Sequence, residues 1–303
     1  MEDISGRIEV ICRPARISDT AAVLALTSQI WEGEDYIPQV WEEWLADEDG
    51  RLIVAEHRGQ VLGLGKLSRL SDEDWWLQGL RVDPAFEGRG VGSQLHHALV
   101  AAWEQIGNGA LRLATASFRK PVQHLSEQSG FVKVDEFTPF GADAMLSAGA
   151  AVPGSLHLVR LEQLGAAFAF ALASETLGIS RRHVDLGWEW LPLREDILAA
   201  AIREERVWSW RNGAGLLAAF TDEENEQTRA LRLHFAACRL KALAGLLADL
   251  RLLAGGLGYQ RAGWMASLHP GITAALGSAG YQREWDAEMY LYEKVHATRP
   301  GKL

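Results

Sequence analysis

The spacing of apolar positions changes along the chain, and the changes mark elements. Ile8 to Arg13 alternates in the manner of a strand with one buried face. Ser18-Asp19 offers a cap to a helix over Ala21 to Ile30. A second helix with its flanking loops is expected around Trp31, Tyr36, Trp41 and Trp44. Leu52 to Glu56 and Val61 to Leu67 read as strands joined by an Arg58-Gly59 hairpin turn. Trp75 to Val82, dense in aromatic and branched residues, is a further strand. Asp83-Pro84 stops it, because proline has no amide hydrogen for the ladder. Leu95, Ala98, Leu99, Ala102 and Ile106 then recur at helical spacing. Leu111 to Ala116 is a strand, Pro121 to Gln128 a short helix stopped by Gly130, and Phe131 to Phe137 a strand again. Ala142 to Leu146 is expected to pair with that last strand as a hairpin.

The pattern then repeats. Gly149-Ala150-Ala151-Val152-Pro153-Gly154 reads as a linker. Beyond it, Arg211-Asn212-Gly213-Ala214 marks a hairpin between Val207–Trp210 and Leu216–Phe220. Leu231-Arg232-Leu233 mirrors Leu80-Arg81-Val82. Leu243, Leu246, Leu247, Leu250 and Leu257 form a helical stripe. Ala266-Ser267 answers Ala116-Ser117, Gly280-Tyr281 answers Gly130-Phe131, and Trp285 to Glu293 closes as a hairpin. The preserved order predicts an internal duplication, with domains over 1–148 and 149–303.

One stretch of the first copy carries a chemical signal. Between its strand and helix stand Gly88, Gly90 and Gly92. Glycine leaves backbone amides bare, so several N–H groups can converge on one anion at the positive end of a helix. Ser93 stands where a dinucleotide fingerprint needs its third glycine, and no Gly-Lys-Ser/Thr of a P-loop occurs. The order strand, Asp-Pro, aromatic, then Gly-x-Gly-x-Gly opening a helix resembles the acyl-CoA site of the GNAT superfamily of N-acetyltransferases. The family loop, Gln/Arg-x-x-Gly-x-Gly/Ala, falls on Glu87-Gly88-Arg89-Gly90-Val91-Gly92, with Glu87 departing from it. The second copy has Cys238-Arg239-Leu240-Lys241-Ala242-Leu243 there, without a glycine.

The resemblance covers about residues 8–147. It implies an α/β fold, a mixed sheet with flanking helices, in two tandem acyl-CoA N-acyltransferase-like domains, the second with a degenerate loop that makes it structural or acceptor-shaping. It implies acetyl-CoA as cosubstrate, held by Leu80, Arg81 and Val82 along the pantetheine arm and by Glu87, Gly88, Arg89, Gly90, Val91, Gly92 and Ser93 at the pyrophosphate. A backbone N–H near Leu80 would face the thioester oxygen. Glu73 or Asp74 stands nearest the family's usual glutamate base, since Gln78 cannot take a proton. Ser126 replaces the usual tyrosine acid in Ser126-Glu127-Gln128-Ser129-Gly130-Phe131, with His124 nearby. Arg119, beside Lys120, replaces an asparagine that approaches CoA.

Composition narrows the setting. The chain has 303 residues, 48% hydrophobic and 23% charged, ordinary for a globular protein of about two domains. Cys12 and Cys238 lack disulfide or metal spacing, no metal site is expected, and His96-His97 reads as helix surface. Met1-Glu2-Asp3 lacks the basic start of a signal peptide, and no apolar run is long enough to span a membrane. The expected setting is the cytoplasm. A net charge of −10 argues against nucleic acid as partner. Residues 1–149 hold 13 Lys/Arg and 23 Asp/Glu, leaving 17 and 17 of the totals 30 and 40 for the rest. Much of the excess lies in Glu32, Glu34, Asp35, Glu42, Glu43, Asp47, Glu48 and Asp49. That stretch reads either as a solvated helix face or, with Trp31, Tyr36, Trp41 and Trp44, as a surface for a cationic or lysine-like amine acceptor. Trp75-Trp76 would put one indole in the core and one towards the acceptor. Two functions follow: an acetyl-CoA-dependent N-acetyltransferase acting on a small primary amine, or a non-catalytic CoA-binding module.

Overall fold

A computed structural model describes residues 6–146, 154–225 and 228–296. The linker expected at 149–154 lies outside these, save for Gly154. The first half runs β1 (Ile11–Pro14), α1 (Thr20–Thr27), α2 (Ile37–Ala46), β2 (Arg51–His57), β3 (Gln60–Arg69), β4 (Asp74–Val82), α3 (Val91–Ile106), β5 (Ala110–Ala116), α4 (Lys120–Gln128) and β6 (Val132–Asp143). The second runs β7 (Leu156–Leu158), α5 (Leu164–Ala173), α6 (Glu175–Ile179), β8 (His183–Asp185), β9 (Trp190–Pro192), α7 (Glu195–Arg203), β10 (Val207–Trp210) and β11 (Gly215–Asn225). It continues through β12 (Thr228–Cys238), α8 (Leu243–Gly256), β13 (Arg261–Ser267), α9 (Pro270–Ser278), β14 (Gln282–Arg283) and β15 (Met289–Val295). Apart from the inserted β8–β9 pair, the helix before it and the short β14, the two orders agree. The fold is mixed α/β, a mixed sheet with flanking helices.

The chain forms two compact units whose boundaries do not follow a single cut. One unit holds Met1–Leu113, Arg119–Lys133 and Tyr292–Leu303; the other holds Ala114–Phe118 and Val134–Leu291. In the first unit the strand order is β1-β2-β3-β4-β5, with the end of β15 beside β5. Arg58 (φ 50°) and Gly59 (φ 81°) make the tight turn between β2 and β3, as the sequence predicts. On one face lie α1 and α2, with Val23, Leu26, Ile37, Trp41 and Trp44 packed on Leu52, Val54, Val61 and Leu64. On β2, β3 and β4 packs α3, which buries Val91, Leu95, Leu99, Val100 and Trp103 at about 1.5–3 kcal/mol each. His96 is also buried there, contrary to a surface position. Its Nε2 lies 3.0 Å from Ser129 Oγ, and burial, helped by the nearby His97 and Lys294, lowers its pKa to about 4.

In the second unit β10 and β11 form the expected hairpin across Arg211–Gly213, and β11 pairs β12 along its length. Leu243, Leu246, Leu247, Leu250 and Leu253 of α8 join its main core. Two expectations fail here. Ala142 does not fold back on Phe137: β6 is one continuous strand, antiparallel to β13 from Phe137↔Ser267 to Asp143↔Arg261. No turn forms because Pro139 C=O accepts the Glu284 amide at 2.9 Å and β14 pairs Gly141 and Phe140, which holds the segment extended. For the same reason β14 and β15 do not close on each other. The first unit is completed instead by the chain's last strand: Arg112 donates to Asp74 (2.6 Å) and to Glu293 (2.7 Å), and His296 N–H reaches Gly109 C=O (2.8 Å).

Candidate active site

The site grows from the way β4 ends. Its parallel pairing with β5 covers only Asp74↔Ala110, Trp75↔Leu111 and Trp76↔Arg112. From Leu77 onward the parallel ladder between β4 and β5 is not continued. On the other side, the register with β3 slips between Leu64↔Arg81 and Lys66↔Gln78. Gly79 sits in this bulge at φ +64°, where a Cβ would lie 2.5 Å from the Trp44 ring, so both the backbone and the space require glycine. The bulge sets the faces of the next residues. Leu80 packs towards the α3 side, Arg81 turns to the α1–α2 side, and Val82 meets Gly92 on α3.

Beyond Val82, the Asp83 carboxylate accepts the Ala85 amide at 2.9 Å and caps a single turn over Pro84–Phe86. Glu87 is extended and exposed, Gly88 takes φ +73°, and Gly90, also left-handed at φ +80°, caps α3. The first amide bond of α3 runs from Gln94 N–H to Gly90 C=O, 3.2 Å. The N–H groups preceding it therefore belong to the helix's open end, where the helix dipole favours an anion. No heavy atom lies within 4 Å of where a Gly88 Cβ would stand, so the turn is bare on that side. The back of the turn is fixed: Ile8 N–H donates to Arg89 C=O, and the Gln94 amide side chain bridges Val10 N–H and Ile8 C=O. Val91 buries its side chain and anchors the helix start, while Arg89 lies over the Phe86 ring at 5.6 Å. A bare turn, a helix start and an unladdered strand edge fit a diphosphate with an extended arm.

The second unit has the same strand ending and a different outcome. There β12 pairs β13 over Ala230–Leu233 only. This makes Ala236-Ala237-Cys238, at the end of β12, the counterpart of Leu80-Arg81-Val82, in place of the Leu231-Arg232-Leu233 suggested by sequence likeness. The loop to the helix shrinks from Asp83–Gly90 to Arg239–Ala242. The edge that β12 leaves is covered from within. Thr176 Oγ1 donates to Ala236 C=O at 2.7 Å and accepts Cys238 N–H at 2.9 Å, while Glu175 Oε2 accepts Leu240 N–H at 2.8 Å. A hydroxyl and a carboxylate of α6 thus occupy the strand edge and the anion position of that unit.

The sequence-derived acid and base candidates do not reach the opening. Asp74 is the first residue of β4, at its laddered end. Its carboxylate is buried between Arg112 (2.6 Å) and the Ser71 hydroxyl (2.7 Å). Glu73 is exposed at that same end, beside Gly109. Ser126 is fully buried and donates its proton to Val122 C=O at 2.8 Å, because a small hydroxyl inside a helix bonds the preceding turn. His124 is exposed on α4. Both Trp75 and Trp76 are buried, and the hollow that Trp75 edges, with Asp49 and Arg69, lies at the laddered end of β4. Nor does the aromatic–acidic surface assemble as expected. Trp41 and Trp44 are core, Asp47 pairs with the buried Lys66, and Asp35 is 1% exposed, clamped to Arg81 at 2.8 and 3.1 Å. Trp31 and Tyr36 remain exposed, already faced by the Arg81 guanidinium at 4.3 and 5.3 Å. Arg119 directs its guanidinium to Trp31, 5.7 Å from the ring centroid. In the sequence, only the nearness of Asp35 to Trp31 and Tyr36 hinted at this cluster.

Residues 20–131 match the Acetyltransferase (GNAT) family. These residues, which contain the glycine turn, are a GNAT-family acetyltransferase domain. Among curated proteins, the chain is 33% identical over 78 residues to a histidine N-acetyltransferase of Oreochromis niloticus, covering 25% of this chain and 23% of that protein. It is 31% identical over 102 residues to a mycothiol acetyltransferase of Propionibacterium freudenreichii, covering 32% of each. The chain thus spans less than a third of the length of these relatives. Among solved structures, a tandem GNAT protein from the clavulanic acid biosynthesis pathway superposes over 96% of this chain and 100% of its own. The TM-score is 0.56 and the sequence identity 13%. That likeness extends the fold through both halves. Among the described residues, no helix is long and apolar enough to cross a membrane.

Proposed function

We propose that the protein is an acetyl-CoA-dependent N-acetyltransferase that acetylates a primary amine of a small molecule, with its donor site in the first half alone. The observation that carries this reading is the bare Gly88 turn at the open end of α3, next to the unladdered edge of β4. Acetyl-CoA supplies an activated acetyl thioester. The amides of the turn hold its diphosphate and the Leu80–Val82 edge hydrogen-bonds its extended arm. A Leu80 amide directed into the opening stabilises the carbonyl oxygen as negative charge develops there. The amine forms the new C–N bond, the C–S bond breaks, and the proton lost by nitrogen leaves through water as the thiolate is protonated. Water carries that proton because Asp74 and Ser126 are bonded elsewhere and Glu73 stands at the laddered end of β4. The second copy, residues 149–303, serves as a structural partner in which Thr176 bonds the end of β12 and Glu175 takes the Leu240 amide.

The second reading, a CoA-binding module without catalysis, draws on the same placement of Glu73, Asp74 and Ser126 away from the opening. Release of CoA, followed with a thiol reagent over free amino acids, polyamines, amino sugars and peptide N-termini, separates the two. Turnover at least tenfold above the amine-free rate with one small-amine class is expected. Saturable CoA binding with no turnover on any amine would establish the module.

A further inference from the structure

The loop between α1 and α2 holds two successive non-glycine residues in the left-handed region, Trp31 (φ 48°) and Glu32 (φ 59°). Each costs about 1–3 kcal/mol, so such a conformation persists only where its surroundings enforce it. Here the enforcement is visible. Asp35, buried, grips Arg81 with both carboxylate oxygens and accepts the Ile37 amide at 3.3 Å. Arg81 then lies 4.3 Å from the Trp31 ring centroid, and Arg119 lies 5.7 Å from it. Stacking of a guanidinium on an indole is worth about 0.5–2 kcal/mol per pair.

The position of these two cations matters more than their number. Arg81 belongs to the parted end of β4, while Arg119 is the N-cap residue of α4, the helix after β5. One indole therefore touches the β4 arm of the opening and the start of the helix that follows the other arm. The face is also defined. Successive residues of a strand point to opposite sides. Val82 meets α3 and the glycine turn, so the neighbouring Arg81, with Trp31 on it, marks the opposite face, where α1 and α2 pack. A donor gripped by the Gly88 turn enters from the α3 side. The amine must then approach from the α1–α2 side, where Trp31 stands, 46% exposed.

We propose that Trp31 is a positioning residue: its indole, held across Arg81 and Arg119, roofs the acceptor side of the opening and orients the amine towards the donor. This deepens the acetyltransferase reading and rests on it. A roof held by two guanidinium groups presents a flat aromatic wall to the acceptor and leaves the donor's diphosphate grip on the far face untouched.

The test compares the full-length wild type with Trp31→Ala and Trp31→Phe. The acceptor is the amine that the wild type turns over fastest in the panel above. Trp31→Ala is expected to raise the acceptor KM at least tenfold, with kcat lowered less than threefold and the calorimetric Kd for acetyl-CoA within twofold of wild type. Trp31→Phe, which keeps an aromatic ring over both guanidinium groups, is expected to recover most of the acceptor KM. The unchanged donor Kd also shows that each variant is folded. An unchanged acceptor KM in Trp31→Ala, or a parallel loss of donor affinity, overturns the assignment of Trp31 while leaving the acetyltransferase reading in place. A wild type without turnover on any amine overturns both.

Discussion

Replacing Gly88 by valine is expected to weaken acetyl-CoA binding about 30-fold or more while the protein stays folded. In the free protein the substitution meets nothing, since no heavy atom lies within 4 Å of the new Cβ. Its cost to the fold is then the left-handed backbone, about 1–2 kcal/mol. The branched side chain would project over the amides that open α3. Losing one hydrogen bond to a charged phosphate costs about 1.5–3 kcal/mol, and about 2 kcal/mol corresponds to 30-fold in Kd. Isothermal calorimetry gives the affinity and thermal unfolding gives the stability. A Kd within threefold of wild type would remove the Gly88 turn from the donor site.

The second large effect concerns stability. Arg112→Ala is expected to destabilise the first unit by about 3–5 kcal/mol, the usual result of leaving a buried charge without its partner. Arg112 and Asp74 have side chains only 6% and 10% exposed, and Glu293, 22% exposed, meets the same guanidinium. The loss would strand the Asp74 carboxylate beside Ser71 and detach the end of β15 from the strand it completes. Replacing Asp74, Arg112 and Glu293 together by apolar residues of similar size should recover much of the loss, because no charge is then left buried. Urea unfolding measures both. A change below about 1 kcal/mol for Arg112→Ala would show that the end of β15 contributes little to the unit.

Local chemistry was readable in the sequence wherever neighbours along the chain decide it. The Arg58-Gly59 turn, the Asp83-Pro84 stop, the glycines before α3 and the duplicated order of elements all have short-range causes, and they stand where expected. Partners distant in sequence were not readable. Arg112 and Glu293 are 181 positions apart, and no periodicity links β6 to β13. That long-range pairing is why the expected terminal hairpins do not form. The candidate site divides in the same way. Its glycine turn is a local motif, whereas the Trp31 cluster depends on Asp35 finding Arg81 and on Trp31 meeting Arg119. Asp74 was misplaced because nearness in sequence to the usual base position says nothing about which end of β4 is laddered. In the second copy the missing glycines were visible, but the bonds of Thr176 to the end of β12 and of Glu175 to the Leu240 amide were not, since α6 is remote in sequence from β12.

The proposed donor site is the one turn at Gly88, while in the second copy Thr176 and Glu175 already bond the corresponding strand end and amide. Titration of acetyl-CoA into the 303-residue chain tests this assignment. One molecule is expected to bind per chain, with that single binding event lost or sharply weakened in Gly88→Val. Two molecules bound per chain, or one whose affinity Gly88→Val leaves unchanged, would contradict it.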